Sequence, residues 1–314
     1  MPRFARALRA IAVTALPLLG GGSILACHGR EGGSPRLDLR EAFATRLADT
    51  VGIGGVVGGP GHRLVVWTPG RERILLFERG QPRSLTLPSL RETVGAAFVS
   101  DQTLEVFDGP SGTVLTLDWQ EGQERARRAA GGLQGAVMAV RAATGWYVVV
   151  PDSTLTLHSL YYLDGDPAPR RLKEFRRPTP QALPDVRLSV VNRDVLVTQA
   201  NAPYAALRIT PDGKTTRIAG GFERLGRDST RVRAPDALWV SLPMLRVGRR
   251  YLQTLVNLRG DDRLLLSFAP DASATRHRVV DAPVTFFADI PATRTLLALR
   301  QIGQPEIVEY TWRD

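Results

Sequence analysis

Short runs rich in Val, Leu, Tyr and Phe recur from residue 51 to the C-terminus, broken by Gly, Pro, Asp and Asn. No segment in that span sustains a 3.6-residue apolar period over three turns, so the pattern predicts an almost all-β chain. Six runs mark a repeat: RLVVW (63–67), TLEVF (103–107), WYVVV (146–150), DVLVT (194–198), YLQTL (251–255) and TLLAL (295–299). Their starts lie 40, 43, 48, 57 and 44 residues apart, the spacing of four-stranded units with insertions in their loops.

Each marker is followed by a turn and a third strand: ERILLF (72–77), TVLTL (113–117), TLTLHSL (154–160), AALRIT (205–210), RLLLSF (263–268) and EIVEYTW (306–312). The turns carry suitable chemistry at Pro69-Gly70, Asp108-Gly109 and Gly260-Asp261. A more polar fourth strand is predicted at RSLTLP (83–88), ERARRA (124–129), PRRLKEF (169–175), KTTRIA (214–219) and TRHRVV (275–280), and the sixth unit has none. The segment PRLDLR (35–40), ahead of a first strand at VGIGGVV (51–57), can supply it by pairing with 306–312. That pairing joins the two ends and removes an open edge. The stretch 37–48 admits a second reading as a helix, with Asp38 as cap and Leu39, Phe43 and Leu47 at four-residue spacing.

This strand pattern resembles a six-bladed β-propeller of the broad class that holds the NHL-repeat, TolB-like and gluconolactonase-like proteins, over residues 35–314. The second unit, VGAAFVSDQTLEVFDGPSGTVLTLD, comes nearest to an NHL-like blade. The expected fold is therefore all-β, with six four-stranded antiparallel blades and the last closed by an N-terminal strand. Seven or eight blades, with extra strands within 182–218 and 237–280, or a β-sandwich pair are the alternatives.

Ahead of this domain, Arg3, Arg6 and Arg9 form a positive n-region, residues 10–19 an apolar h-region, and residues 20–26 are mostly small. The apolar stretch is too short to span a bilayer. Ile24-Leu25-Ala26-Cys27 resembles the lipobox of bacterial lipoproteins, and Cys27 is the sole cysteine of the chain. The resemblance implies a signal peptide at 1–26, lipidation of Cys27, a tether at 27–34 and a propeller domain at 35–314. It places the protein in the cell envelope, on the periplasmic side of the outer membrane where the organism has one. A secretory peptide cleaved near Ala26, or an uncleaved anchor, is the other reading of the same residues.

Net charge is +10, and removing the three leader arginines leaves +7. Only Lys173 and Lys214 are lysines, so the excess is arginine, partly in pairs such as Arg127-Arg128, Arg170-Arg171, Arg176-Arg177 and Arg249-Arg250. No aromatic residues interleave with these pairs as stacking platforms for single-stranded nucleic acid. The pairs read as solvated strand edges and loops.

Catalytic signatures are sparse. VGIGGVVGGPG (51–61) places Val57 where a dinucleotide-binding G-x-G-x-x-G has its last glycine, and Gly109-Pro110-Ser111-Gly112 is not a nucleophile elbow. His28, His62, His158 and His277 stand isolated, without the spacing of a metal site. A propeller can still gather ligands at its axis from several blades. The gluconolactonase resemblance implies Ca2+ held there by acids and amides, for which Asp101, Asp152, Asn192, Asp194 and Asn201 are the candidates. Turn formation is the plainer reading of these residues, and the cluster Asp164 to Asp166 reads as a loop. The favoured function is a lipid-anchored, non-enzymatic binding or scaffold module for a protein or glycan partner, monomeric and without cofactor or nucleic acid. The alternative is a metal-dependent hydrolase or lactonase with an axial site.

Overall fold

A computed structural model describes residues 38–47, 53–68, 73–165, 168–176, 186–199, 205–220, 239–257, 263–268, 278–280, 284–290, 293–300 and 304–313. Among them are twenty-five strands and no α-helix. They are β1 (Asp38–Arg46), β2 (Gly55–Gly59), β3 (Arg63–Trp67), β4 (Arg73–Glu78), β5 (Gln81–Thr86), β6 (Thr93–Phe98), β7 (Thr103–Asp108), β8 (Thr113–Asp118) and β9 (Glu124–Ala129). Next come β10 (Met138–Arg141), β11 (Trp146–Pro151), β12 (Leu157–Leu163), β13 (Arg170–Arg176), β14 (Val186–Val191), β15 (Asp194–Gln199), β16 (Ala205–Ile209) and β17 (Thr215–Gly220). The rest are β18 (Trp239–Ser241), β19 (Leu245–Val247), β20 (Arg250–Asn257), β21 (Arg263–Phe268), β22 (Arg278–Val280), β23 (Val284–Ile290), β24 (Thr295–Arg300) and β25 (Glu306–Arg313).

All pairings are antiparallel, and five sheets are regular four-stranded blades: β2 to β5, β6 to β9, β10 to β13, β14 to β17, and the closing sheet β1-β25-β24-β23. The expectation of six such blades is corrected by the remaining sheet, which has five strands because β18 and β19 both pair with β20. Pro243 lies between the two short strands. Without an N–H it cannot donate to a ladder, so one inner strand becomes two. The strands nearest the axis touch in a cycle: β2 with β6, β6 with β10, β10 with β14, β14 with β19, β19 with β23, and β23 with β2.

The closing strand is β1. It pairs with β25 from Asp38↔Arg313 to Arg46↔Glu306, which overturns the helical reading of 37–48 and lengthens the expected strand beyond Arg40. Residues 35–37 of the expected strand lie outside the described residues. The free edge of β25 offers this segment a full ladder, whereas an isolated helix so short is marginal. A bulge between Glu41 and Phe43 turns the strand, so Leu39 and Ala44 pack on one face with Trp312, while Phe43 stacks on His62 of the first blade.

Burial follows the seams between sheets. Val65, Leu76, Leu104, Leu115 and Trp119 fill the first seam, Phe107, Val114, Trp146 and Val148 the second, and Tyr147, Leu160, Leu188 and Val197 the third. Leu245, Leu252, Phe286 and Leu296 join the five-stranded sheet to the closing sheet, which meets the first blade through Leu64, Phe77, Leu297 and Ile307. Small residues let the inner strands approach: a Cβ on Gly95 would strike the carbonyl of Ala139 in the next blade.

One seam contact repeats at the rim. A side chain of each of four outer strands lies over a turn glycine of the next blade: Phe43 over Gly80, Leu85 over Gly122, Arg128 over Gly165 and Leu172 over Gly213. Gly80 and Gly122 have φ of 76° and 70°, a backbone that only glycine adopts without strain. The first three pairs are each 37 residues apart in sequence and the fourth 41. By this measure β1 occupies the fourth-strand place that β5, β9 and β13 hold in their own blades.

Candidate functional site

In an up-and-down blade, the turn after the innermost strand and the turn after the second strand emerge at opposite ends. Asp101, in the β6–β7 turn, therefore sits at the other end of the ring from Asp152, in the β11–β12 turn. Asn192 occupies the β14–β15 turn at φ 59°, and Asp194 begins the second strand of its blade, not the innermost one. Of the proposed axial set, Asp152 is thus parted from Asp101, Asn192 and Asp194. Asn201, Asp166, His28, His277, Cys27 and the leader lie outside the described residues.

The acids that are described have identifiable work. Asp152 Oδ1 accepts the amides of Thr156 at 2.8 Å and Leu157 at 3.1 Å, and its Oδ2 accepts the Thr154 hydroxyl at 2.6 Å. The Thr154 bond and then those amides hold its carboxyl down to about 2. Asp194, buried, accepts from Arg208 Nε at 2.6 Å. Asp101 offers its backbone carbonyl to Arg63 at 2.5 Å.

Sequence reasoning missed two further acids of the second blade. Asp108, fully buried, accepts the amides of Arg91 at 3.1 Å and Glu92 at 2.8 Å and the hydroxyl of Ser111. Asp118 accepts the amides of Gln120 and Glu121 and a guanidinium hydrogen of Arg125. Both stand at the last position of a strand, directly before a turn. A carboxylate there can reach the amides of the following loop, so strand-terminal aspartate was the available signal.

Two inter-blade contacts were invisible along the chain. Glu105 Oε2 accepts from Arg141 Nε at 2.8 Å and from Trp146 Nε1 at 2.9 Å, tying the second blade to the third. His62 Nδ1 lies 2.8 Å from Glu309 Oε2, a residue 247 positions further along the chain. Glu309 is 4% exposed and its Oε1 has no hydrogen-bond partner, so His62 is its link to the first blade. His158 is buried in β12. In β23, on the side that Leu296 shares, burial pushes the Asp289 carboxyl up to about 7. Among the described residues no group of three or more His, Cys, Asp or Glu is placed to hold a metal ion.

Charge is distributed unevenly. Arg83 on β5, three arginines against Glu124 on β9, three arginines and a lysine against Glu174 on β13, and Arg217 on β17 carry seven net positive charges on four outer strands. That equals the whole excess left once the leader arginines are set aside.

No family model matches the chain, and no curated protein matches it. Solved structures do. The β-propeller domain of Cps50 (Swd1) from Myceliophteria thermophila is 9% identical with a TM-score of 0.53, over 87% of this chain and 99% of that one. The WD40 repeats of RRP9 are 10% identical with a TM-score of 0.53, over 88% of this chain and 100% of that one. BamB from Moraxella catarrhalis is more distant, 10% identical with a TM-score of 0.44, over 87% and 100%. At such identities the likeness establishes architecture alone, and the chain is similar in fold to β-propellers built of four-stranded antiparallel blades.

Proposed function

We propose that this chain is a lipid-anchored propeller of the bacterial cell envelope that works as a non-enzymatic binding or scaffold module for a protein or glycan partner. In this reading Cys27 is acylated, residues 27–34 are the tether, and the five-stranded sheet counts as a sixth, irregular blade. The observation that carries it is the use made of the carboxylates. Asp108, Asp118 and Asp152 are spent on turn amides, hydroxyls and an arginine of their own blade, and one oxygen of Asp194 on Arg208, which is the work of a rigid display scaffold.

Photo-reactive residues placed at Arg79, Arg91 and Ala126, which are exposed at one end, the other end and the rim, test this in intact cells. The reading expects a discrete adduct from at least one position, in a membrane fraction that Cys27→Ser depletes of the protein. It is overturned when no position gives an adduct and the purified protein opens a lactone in the presence of Ca2+. An unchanged membrane share of Cys27→Ser removes the anchor.

A further inference from the structure

The excess charge of the outer strands is not all neutralised in place. Arg127 pairs with Glu124 at 2.8 Å, Arg171 with Glu174 at 2.7 Å, and Arg125 with Asp118. Arg170 donates to the Pro211 carbonyl at 2.7 Å and lies over the Tyr162 ring. Arg128, Lys173 and Arg176 form no ion pair among the described residues. They belong to β9 and β13, the terminal strands of neighbouring sheets, so each strand has one edge with no partner strand among those described.

We infer that the outer edges of β9 and β13 form a docking strip for an extended acidic segment of a partner protein. This deepens the binding-module reading and rests on it. A strand edge offers a row of amides and carbonyls to an extended chain, and guanidinium groups beside it match carboxylates in a two-pronged geometry. Alternate side chains of the added segment fall on one side, where they meet Arg128 on β9 or Lys173 on β13. Position argues against the anchoring bilayer as the occupant. The N-terminal segment enters through β1, and round the cycle of inner-strand contacts the sheet of β13 lies three sheets from that of β1 in either direction. The sheet of β9 lies two sheets from it by the shorter way, so β13 is the edge further removed from a membrane that holds the N-terminal end. Charged edges also deter strand-to-strand aggregation. That role alone needs no affinity for any ligand, and this is where the two explanations part.

The test is fluorescence anisotropy on the full-length protein with a labelled peptide of alternating Glu and Val. Three competitors are a proline-interrupted peptide of equal charge, polygalacturonate, and vesicles containing an anionic phospholipid. The expected result is saturable binding of the strand-forming peptide that weakens with salt. It should fall about tenfold in Arg128→Glu/Lys173→Glu and hold in Arg79→Glu/Arg91→Glu, an equal charge change elsewhere on the surface. Equal binding of the proline-interrupted peptide, preference for polygalacturonate or vesicles, or no binding at all would each overturn the inference, the last leaving aggregation control as the role of these charges. Melting temperatures of the two variants show whether each is folded. Adducts from Arg79 or Arg91 but none from Ala126 would refute the strip and leave the binding module standing. Silence at all three positions removes the strip, and silence together with lactone opening removes the binding module as well.

Discussion

The second blade and the closing sheet have the same four-strand plan and treat their acids differently. In the second blade, Asp108 and Asp118 terminate strands and collect the amides of the loops that follow, and Glu105 holds both Arg141 and Trp146. In the closing sheet, Glu309 lies within β25, which is paired on both edges, and Asp289 within β23, which is paired on one. Glu309 is left with His62 and an orphan oxygen, and Asp289 is pushed up to about 7 by burial. An aspartate at the last position of a strand is served by nearby loop amides, whereas an acid in mid-strand depends on side chains brought from elsewhere.

The largest break in this comparison comes from removing β1. Deleting residues 38–46 exposes the edge of β25 and the face under Leu39 and Ala44, and should cost about 5 kcal/mol. Deleting 1–34 should leave the melting temperature unchanged. Equal losses would show that β1 is no more than a leader. Next, Asp108→Ala strands two amides and a hydroxyl in a dry site and should cost about 3 kcal/mol, while Glu309→Gln keeps an acceptor for His62 and should stay within about 0.5 kcal/mol in denaturant melts. A larger loss for Glu309→Gln would invert the contrast.

The smallest effect is a slope with pH. Asp289 has a folded pKa of about 7 against an ordinary 3.8, so the folded state holds a proton that the unfolded chain has already lost. Its contribution is therefore full below about pH 4, declines as pH rises, and is gone above about pH 7. Asp289→Asn should flatten the slope in melts taken at several pH values, and an unchanged slope would assign it to another group.

Strand positions were readable where alternation was strong. RLVVW, WYVVV and ERARRA coincide with β3, β11 and β9, and TLLAL lies within β24. TLTLHSL started three residues early, because Asp152 draws Thr154 and Thr156 into a turn ahead of β12. The two faces of 38–47 misled for another reason. Leu39, Phe43 and Leu47 repeat every four residues, a period that a helix and a strand both permit, and the bulge after Glu41 sends Phe43 to the opposite side. Pro243 marked the split of the irregular sheet, though only the structure shows which strands it divides. The candidate axial residues lacked any such signal. Which end of the ring a turn occupies follows from strand order, so Asp101 and Asp152 looked equivalent along the chain.

The pairing of β1 with β25 also sets a timetable. Among the described strands, the segment that completes the last sheet is the earliest to be synthesised, and its partner is the latest. Until residues 306–313 have been made, β1 is an edge without a ladder, and Leu39, Phe43 and Ala44 wait in the company of whatever else is nearby. If the chain is exported in an extended form, as proposed above, folding after translocation gives the two ends the chance to arrive together. A chain released vectorially, or stalled short of its last strand, would present an open ring with a sticky rim to the chaperones and proteases of its compartment.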